Sequence, residues 1–504
     1  MKNKLWQTFL LTFIVLVTLM GLFYVPRVKI FGNDLRRVNI LSDVQPRNEE
    51  GKIVAEVEAD AAEGFVEEAF DPSVVEVKPL AYVDSIPKGM IAIEDFADTE
   101  GVDREMDYFY AALGEARNRL VRVAYFGDSY IEGDILTMDL RHQLQHKYGG
   151  RGVGFVEIQC VSSDFRRSVT TKRTGWNSYH ANEKGHGFRA SLQGPAGSYF
   201  IPYGTASFET RGQKNVYAST LDTAEVATAY FTPSHGLNVT YAFNGGESQT
   251  LFSNGAVVEP ETYEETVEEL DSDSVVHYKT VTRQVVPPQQ GVGDVVAKSV
   301  DGRFGKFSMT VSGGNGSRFY GVAFDGHQGV AVDNFSMRGS GGQHLLKVPE
   351  ETWRGFASVR PYDLIVLHFG LNVADPKQKD YSGYIAQMGK VIDRMKTAYP
   401  HASILVVSIA DREARGSDGQ LHTMDGVKEL VAYQRKLASD HHVAFWNLYQ
   451  AMGGDGSLVR MQEKKQAGLD YTHINFAGGR HLAGILFDVL MNGKDNYDQR
   501  AGKM

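Results

Sequence analysis

The chain has 504 residues, of which 42% are hydrophobic and 11% aromatic, enough for more than one buried core. Its formal net charge of −10 argues against a nucleic-acid partner, because phosphate binding needs a basic face. Cys160 is the single cysteine, which excludes an intramolecular disulfide and any zinc site built on several cysteines.

Residues 1–27 are typical of a membrane anchor. Lys2 and Lys4 precede an apolar run over residues 5–25, close to the ~20 residues that a spanning helix needs. The run lacks the small-residue exit of a cleaved signal peptide, which favours an uncleaved anchor. The leading lysines predict a cytoplasmic amino end. We therefore expect a single-pass protein of the inner (cytoplasmic) membrane, with its globular part in the periplasm or outside the cell.

Residues 28–89 form a stretch of different composition. Ten acidic residues lie between Glu49 and Glu76, and large apolar residues are few. Such a composition cannot bury a core, so we interpret this stretch as an acidic tether without chemistry of its own.

The globular part begins near residue 90, and its first section, residues 90–159, contains the pattern around which the chain is organised. Residues 121–126 are a β-branched and aromatic run typical of a buried strand. The run ends at Gly127-Asp128-Ser129, and a helical pattern follows through Leu136, Leu140 and Leu144. This order predicts the Ser129 hydroxyl at the carboxyl edge of a sheet, at the start of a helix. Taken alone, the same serine is more often a helix cap.

Residues 160–320 have a different character. Short β-rich runs are separated by Gly, Asn, Ser and Pro, which predicts an inserted antiparallel β-sandwich. The acidic stretch at residues 259–273 is interpreted as a loop. Four aromatic residues could stack on sugar rings or belong to the core or rim: Trp176, Tyr179, Tyr199 and Tyr203.

Residues 321–504 return to an α/β pattern. Apolar strands at residues 363–369, 403–409 and 442–446 alternate with helices, which predicts a parallel sheet covered on both faces. Ligands of such sheets lie beyond the carboxyl ends of the strands. Asn372 follows the first of these strands, and the turn at residues 470–473 opens the last helix.

Together, these polar residues could perform acyl transfer, which needs a hydroxyl, a base, a carboxylate that orients the base, and donors for the oxyanion. Asp470 and His473 are three residues apart, so the carboxylate could orient the imidazole towards Ser129. Taken singly, the pair is commonly a surface contact and Asn372 a turn residue. Their order along the chain, each at a strand end, favours a catalytic site.

The sequence resembles the GDSL/SGNH hydrolase family. Gly127-Asp128-Ser129 matches the first block, Gly370-Leu371-Asn372 the third and Asp470–His473 the last. The second block needs a glycine after a short strand, for which we choose Gly339, with Gly341 as the alternative. The resemblance implies Ser129 as the nucleophile, His473 as the general base and then acid, and Asp470 as its orienting carboxylate. It also implies an oxyanion hole made of Ser129, Gly339 and Asn372, without metal or cofactor.

One residue departs from the family pattern. The third block usually has an acidic residue after the asparagine, whereas this chain has Val373, and Asp375 comes too late to replace it. The orientation of Asn372 is therefore less well defined by the motif than its identity.

The layout is similar to peptidoglycan O-acetylesterases, in which a carbohydrate-binding-like β domain is inserted into the hydrolase. The expected fold is a three-layer parallel-sheet SGNH (flavodoxin-like) domain with an inserted antiparallel β-sandwich and an amino-terminal transmembrane helix. The first hypothesis is a cell-envelope serine esterase that removes O-acetyl groups from peptidoglycan or another polysaccharide through an acyl-serine. A second is a polysaccharide O-acetyltransferase working beside a membrane-bound acyltransferase. A third is an inactive glycan-binding protein.

Overall fold

The computed structural model describes residues 29–30, 33–34, 75, 77, 82–97, 104–160, 165–183, 187–212, 224–254, 261–270, 276–285 and 295–502. The predicted membrane anchor and most of the predicted tether lie outside these residues and stay predictions. No helix among the described residues has both the length and the apolar composition needed to cross a membrane.

The chain divides into two compact units. One comprises residues 67–413 and 421–504, and it contains both large sheets. The other comprises residues 1–66 and 414–420. In the second unit, the described residues include a short antiparallel strand pair and a turn in which the Gly419 N–H donates to the Gly416 carbonyl at 3.0 Å.

The described strands, in chain order, are β1 (Lys29–Ile30), β2 (Asn33–Asp34), β3 (Tyr82–Val83), β4 (Ile93–Asp95), β5 (Leu120–Gly127), β6 (Gly154–Val156), β7 (Val169–His180), β8 (Ser198–Gly212), β9 (Ala224–Thr232), β10 (Asn238–Phe243), β11 (Gln249–Ser253), β12 (Glu261–Leu270), β13 (Val276–Val285), β14 (Val296–Phe304), β15 (Lys306–Ser312), β16 (Arg318–Asp325), β17 (Gly329–Ser336), β18 (Leu364–His368), β19 (Ser403–Val407), β20 (Glu413–Arg415), β21 (Leu421–Thr423) and β22 (Ala444–Trp446).

The described α-helices are α1 (Asp107–Gly114), α2 (Thr137–Tyr148), α3 (Glu350–Val359), α4 (Ser382–Ala398), α5 (Asp425–Asp440), α6 (Leu448–Ala451), α7 (Ser457–Glu463) and α8 (Phe476–Arg500). Three short 3-10 helices are also described: Ser129–Asp134, Ala190–Leu192 and Gln343–Lys347.

A seven-stranded mixed sheet forms the α/β domain, in the order β17-β5-β18-β19-β22-β4-β3. The first five strands are parallel, and β4 and β3 are antiparallel at one edge. Two groups of helices pack on it: α8 contacts α1 and α2, and α4 contacts α3 and α5. β5, β18 and β19 are apolar and buried along almost their whole length because both faces are covered. The predicted parallel strands are confirmed, and the antiparallel strands β3 and β4, which were not predicted, make the sheet a mixed one.

An antiparallel β domain lies between β5 and β17 in the chain. Its strands follow the order β11-β10-β15-β8-β16-β9-β14, with β6 beside β16 and β7 beside β8. Phe231 of β9 and Phe252 of β11 are far apart along this path, yet their ring centroids are 5.2 Å apart. The sheet therefore folds back over a shared apolar core, and the predicted antiparallel domain is confirmed.

The interpretation of residues 259–273 as a loop is wrong. Residues 261–270 form β12, which pairs antiparallel with β13 over its whole length. Val267 faces Lys279 and Tyr263 faces Arg283 across the pair. Glutamate pairs at residues 264–265 and 268–269 interrupt the alternation typical of a strand, and β-branched and aromatic residues between them (Thr262, Tyr263, Thr266 and Val267) are the remaining strand signal.

A buried ion network joins the two domains. Arg360, which is fully buried, donates to Asp325 of β16 at 2.8 Å and to Asp333 of β17 at 2.6 Å. Tyr362 also donates to Asp333, at 2.7 Å. Burial raises the pKa of Asp333, but the Arg360 charge and these hydrogen bonds bring it below its ordinary value. The same guanidinium thus holds β17, at the edge of the seven-stranded sheet, and β16 of the antiparallel domain.

Candidate active site

Ser129 lies where the sequence places it, at the carboxyl end of β5. Gly127, the last residue of β5, is level with Ser336 of β17 and His368 of β18, so three parallel strands end at this edge. A side chain at Gly127 would meet the His368 carbonyl oxygen at 2.8 Å, so only glycine lets the strands approach here.

The helix predicted directly after Ser129 begins later. Ser129 opens a 3-10 helix, and the backbone then turns sharply at Gly133 and Asp134, where φ is 60° and 66°. The α-helix begins only at Thr137. The leucine spacing therefore identified α2 but not the turn that separates it from the serine.

Ser129, His473 and Asp470 form one hydrogen-bonded relay. The Ser129 Oγ lies 3.0 Å from His473 Nε2, and His473 Nδ1 lies 2.7 Å from Asp470 Oδ2. The other Asp470 oxygen accepts the backbone N–H groups of Thr472 and His473, each at 3.1 Å. The tight turn at residues 470–473 therefore fixes the carboxylate against the ring.

The electrostatics of the relay determine its protonation. Burial raises the pKa of Asp470. The hydrogen bond and the charge of His473 lower that pKa by more than burial raises it, so the pKa of Asp470 is below its ordinary value. An ionised carboxylate only accepts, so His473 Nδ1 carries the proton. Nε2 is then the acceptor for the Ser129 hydroxyl, which is the arrangement of a general base beside its nucleophile.

Asp128 is a functional residue that the sequence reasoning missed. One carboxylate oxygen accepts the Tyr130 N–H at 3.0 Å, and the other accepts the Gly370 and Leu371 N–H groups, each at 3.2 Å. Burial raises the pKa of Asp128 to about 6. Asp128 therefore clamps the segment that carries Asn372 to the segment that carries Ser129. The sequence feature that could have identified Asp128 is its position as an acidic residue between a buried strand and the candidate nucleophile.

Gly339 and Asn372 lie together at the same sheet edge. The Ser340 N–H donates to the Met337 carbonyl at 3.2 Å, and Gly339 has φ 75° within this turn, which favours glycine. The Asn372 side chain donates one N–H to the Ser340 carbonyl at 3.2 Å. Within the described residues, no hydrogen bond uses the Gly339 N–H or the Ser129 N–H.

Val373, the departure from the family pattern, packs on the same turn. A Cβ on Gly341 would meet the Val373 side chain at 2.7 Å. The chain thus has an apolar side chain at the position where the family pattern has an acidic residue. The Ser340 carbonyl is the group that orients Asn372.

A second ion pair joins the nucleophile segment to the Gly339 turn. Arg338 Nε donates to the Glu132 carboxylate oxygens at 2.8 and 3.1 Å. These two residues are 206 positions apart, and no local pattern in the sequence links them.

The four aromatic residues of the antiparallel domain separate into two kinds. Trp176 is 9% exposed, and Tyr179 stacks on Tyr199 at a centroid distance of 4.8 Å. Tyr203 is 57% exposed and lines a cavity of about 410 Å³. Three of the four therefore pack on other protein groups, and Tyr203 presents an open ring.

Within the described residues, no group of three His, Cys, Asp or Glu side chains is placed to hold a metal ion.

Comparisons with known proteins agree with this geometry. Residues 297–480 match the GDSL-like lipase/acylhydrolase family. The chain is similar to a solved structure described as a peptidoglycan O-acetylesterase, with 17% identity and a TM-score of 0.59 over 80% of this chain and 99% of that one. It also aligns with family two carbohydrate esterases from Cellvibrio japonicus (10% identity, TM-score 0.24, 65% of this chain and 99% of that one) and Clostridium thermocellum (11%, 0.25, 60% and 96%). The last two TM-scores are too low to bear on the fold. No curated protein matches the sequence.

The family match covers the segments of Asn372, Asp470 and His473. The segment of Ser129 lies before it, and the fold brings that serine to the histidine. Residues 297–480 therefore match a GDSL-like acylhydrolase family, and the fold brings a serine, a histidine and an aspartate into the arrangement of a serine esterase.

Proposed function

We propose that this protein is a serine esterase of the cell envelope that removes O-acetyl groups from a glycan through an acyl-serine intermediate. The observation that carries the proposal is the relay in which Ser129 Oγ lies 3.0 Å from His473 Nε2 and His473 Nδ1 lies 2.7 Å from Asp470. Acyl transfer requires a hydroxyl, a base and an orienting carboxylate in this order.

In the first half of the reaction, the Ser129 oxygen attacks the acetyl carbonyl carbon while its proton moves to His473 Nε2. The carbonyl oxygen becomes an oxyanion, for which the backbone N–H groups of Ser129 and Gly339 and the second amide N–H of Asn372 are the proposed donors. The bond to the sugar oxygen then breaks, and His473 gives that oxygen its proton. Acetyl-Ser129 remains.

In the second half, water attacks the acetyl carbon of acetyl-Ser129 and gives its proton to His473. The bond to Ser129 breaks, the serine recovers its proton from His473, and acetate leaves. Asp470 stays ionised throughout and stabilises the imidazolium that forms in each half.

A glycan substrate is proposed from two features. The similar solved structure is described as a peptidoglycan O-acetylesterase, and the antiparallel domain presents the exposed Tyr203 ring beside a cavity of about 410 Å³. Location in the cell envelope is proposed from the apolar run at residues 5–25, which we interpret as a single-pass anchor.

The test combines active-site labelling with acetate release. A fluorophosphonate should modify Ser129, as located by mass spectrometry, and O-acetylated peptidoglycan should release acetate. Ser129→Ala and His473→Ala should each lower the rate by at least 10³-fold because the relay loses a member. Circular dichroism and the melting temperature should match the unmodified protein, which shows that the variants are folded.

Unlabelled Ser129, or acetate release at the full rate by either variant, would overturn the proposal. A labelled serine whose acetyl form turns over only when a glycan acceptor is added would identify the transferase instead. Saccharide binding without any reaction that depends on Ser129 would identify a glycan-binding protein.

A further inference from the structure

Arg338 lies beside the catalytic centre with most of its hydrogen-bonding capacity unused. It directly precedes Gly339, and only its Nε is engaged, by the Glu132 carboxylate. In the part of the chain that the structure describes, Nη1 and Nη2 have no acceptor. A guanidinium has five N–H groups, so about four of them are available on a side chain that is 27% exposed.

An exposed aromatic ring stands next to this guanidinium. The Phe165 ring centroid lies 6.0 Å from the Arg338 guanidinium carbon, and Phe165 is 38% exposed. The same ring covers the backbone at Gly133, where a Cβ would meet it at 2.4 Å. Gly133 is four residues after the nucleophile, so the ring and the guanidinium border the catalytic centre together.

The segment that carries Phe165 continues to the other side of the relay. The Arg167 guanidinium carbon lies 3.9 Å from the Phe476 ring centroid, and Phe476 is three residues after His473. Between the two contacts, Arg166 donates to Asp134 at 3.0 Å and Ser168 donates to the same carboxylate. The antiparallel domain thus supplies a fixed wall along the catalytic centre.

This wall is positively charged in a chain whose net charge is −10. Asp134 is fully buried, and although burial raises its pKa, the charges of Arg141 and Arg166 bring it well below its ordinary value. Asp134 is therefore ionised. The segment from Phe165 to Ser168 carries two arginines, Arg166 and Arg167, and no carboxylate, and Arg338 lies against its ring. Such a local excess attracts anions that the rest of the surface repels.

We propose that Arg338 and Phe165 form a subsite for a saccharide that carries a carboxylate close to the acetylated position. The planar fork of Nη1 and Nη2 matches the two oxygens of a carboxylate, and the exposed ring offers a stacking face for the sugar. This inference rests on the proposed function and narrows its substrate to an anionic glycan. The carboxylate could belong to the sugar ring, as in a uronic acid, or to a lactyl substituent.

The test measures binding in the full chain carrying Ser129→Ala, so that turnover does not interfere. The ligands are an oligogalacturonide and its methyl ester, and a muramic-acid disaccharide and its lactyl amide. Calorimetry gives a dissociation constant for each. We expect the free acid of at least one pair to bind about 10- to 100-fold more tightly than its neutral partner, as for a charge-assisted hydrogen bond. Adding Arg338→Gln should bring that ratio close to one.

Glu132→Gln is the matched control because it removes the negative charge that faces Nε, keeps an acceptor oxygen there, and leaves Nη1 and Nη2 in place. It should retain the preference for the free acid even if all four ligands bind more weakly. Equal binding of acid and neutral forms in both pairs would overturn the inference, as would a preference that survives Arg338→Gln. Acetate release is measured separately, so its absence would overturn the proposed function without deciding the subsite.

Discussion

Asn372 is held by a contact that leaves half of its amide available. One N–H donates to the Ser340 carbonyl at 3.2 Å, and the side chain is exposed. We predict that Asn372→Ala lowers kcat for acetate release by about 10²–10³-fold, because one oxyanion donor is lost. KM should change much less, since the donor acts on charge that develops only in the transition state.

Steady-state kinetics on an O-acetylated glycan check this prediction. Val373→Ala is the control, because it lies next to Asn372 on the same turn and donates no side-chain hydrogen bond. A loss of less than fivefold in Asn372→Ala would show that the amide does not face the oxyanion.

The candidate catalytic residues could be placed from short motifs, although the expectation of a strand end holds for Ser129 and Asn372 and not for Asp470 and His473, whose turn lies between two helices. Asp470 and His473 are three positions apart, and Ser129 follows the glycine that ends β5. The groups that position these residues could not be predicted from the sequence. The pairing of Glu132 with Arg338 joins distant segments, and the three backbone N–H groups on Asp128 converge only after β5 and β18 have paired.

At the level of elements, Asp128 links the end of β5 to the loop after β18. The carboxyl group of Asp128 titrates, so this link depends on pH. Burial raises the pKa of Asp128 from its ordinary 3.8 to about 6, so the folded protein holds this proton more tightly than the unfolded chain. The stability that this provides is fully present below about pH 3.8 and is lost as the pH rises through about 6. The total change is about 3 kcal/mol.

We therefore predict how Asp128→Asn changes the pH dependence of folding. The variant cannot titrate, so the free energy of unfolding of the unmodified protein should fall relative to the variant between pH 4.5 and 7. Above pH 7 the difference should be constant. Urea unfolding at five pH values checks this. A difference that is flat from pH 4.5, or one of opposite sign, would contradict the raised pKa.

Strands and helices were predicted well where a segment shows a single pattern of apolar residues. The continuous apolar runs that became β18 and β19 can only be strands buried on both faces. β12 was missed because its glutamates do not alternate with apolar residues. The pairing with β13 that makes this segment a strand is not visible in a local window of the sequence. The turn at Gly133 and Asp134 was missed because the leucine spacing was extended back to Ser129, although glycine and aspartate are residue types that adopt positive φ.

In the molecule as a whole, the antiparallel domain is coupled to the α/β domain by side-chain contacts. It supplies Phe165 and Arg166 to the catalytic centre, and its β16 shares Arg360 with β17. The insertion itself could be predicted from the change in periodicity along the chain. The coupling of the antiparallel domain to the α/β domain could not be predicted. Arg360, Asp325 and Asp333 belong to no sequence motif, and they pair only in the folded protein.

This coupling predicts that the two domains unfold together and that Arg360 is critical to both. Arg360→Met removes the cation between Asp325 and Asp333 and leaves two buried carboxylates without compensation. Breaking a buried pair in this way costs about 3–5 kcal/mol in the free energy of unfolding. Arg354→Met is the control, because Arg354 is 67% exposed and pairs only with Glu351 at 3.8 Å. It should cost less than about 0.5 kcal/mol.

Urea unfolding followed by tryptophan fluorescence provides the measurement, since Trp176 reports on the antiparallel domain and Trp353 and Trp446 on the α/β domain. Variants that lack Trp6 and keep a single one of these three tryptophans should give the same midpoint when Arg360 is present and a common lower midpoint with Arg360→Met. Adding Asp325→Asn and Asp333→Asn should recover part of the loss, because the uncompensated charges are then gone. Separate midpoints for the two domains, or a loss no larger than that of Arg354→Met, would show that the network does not couple them.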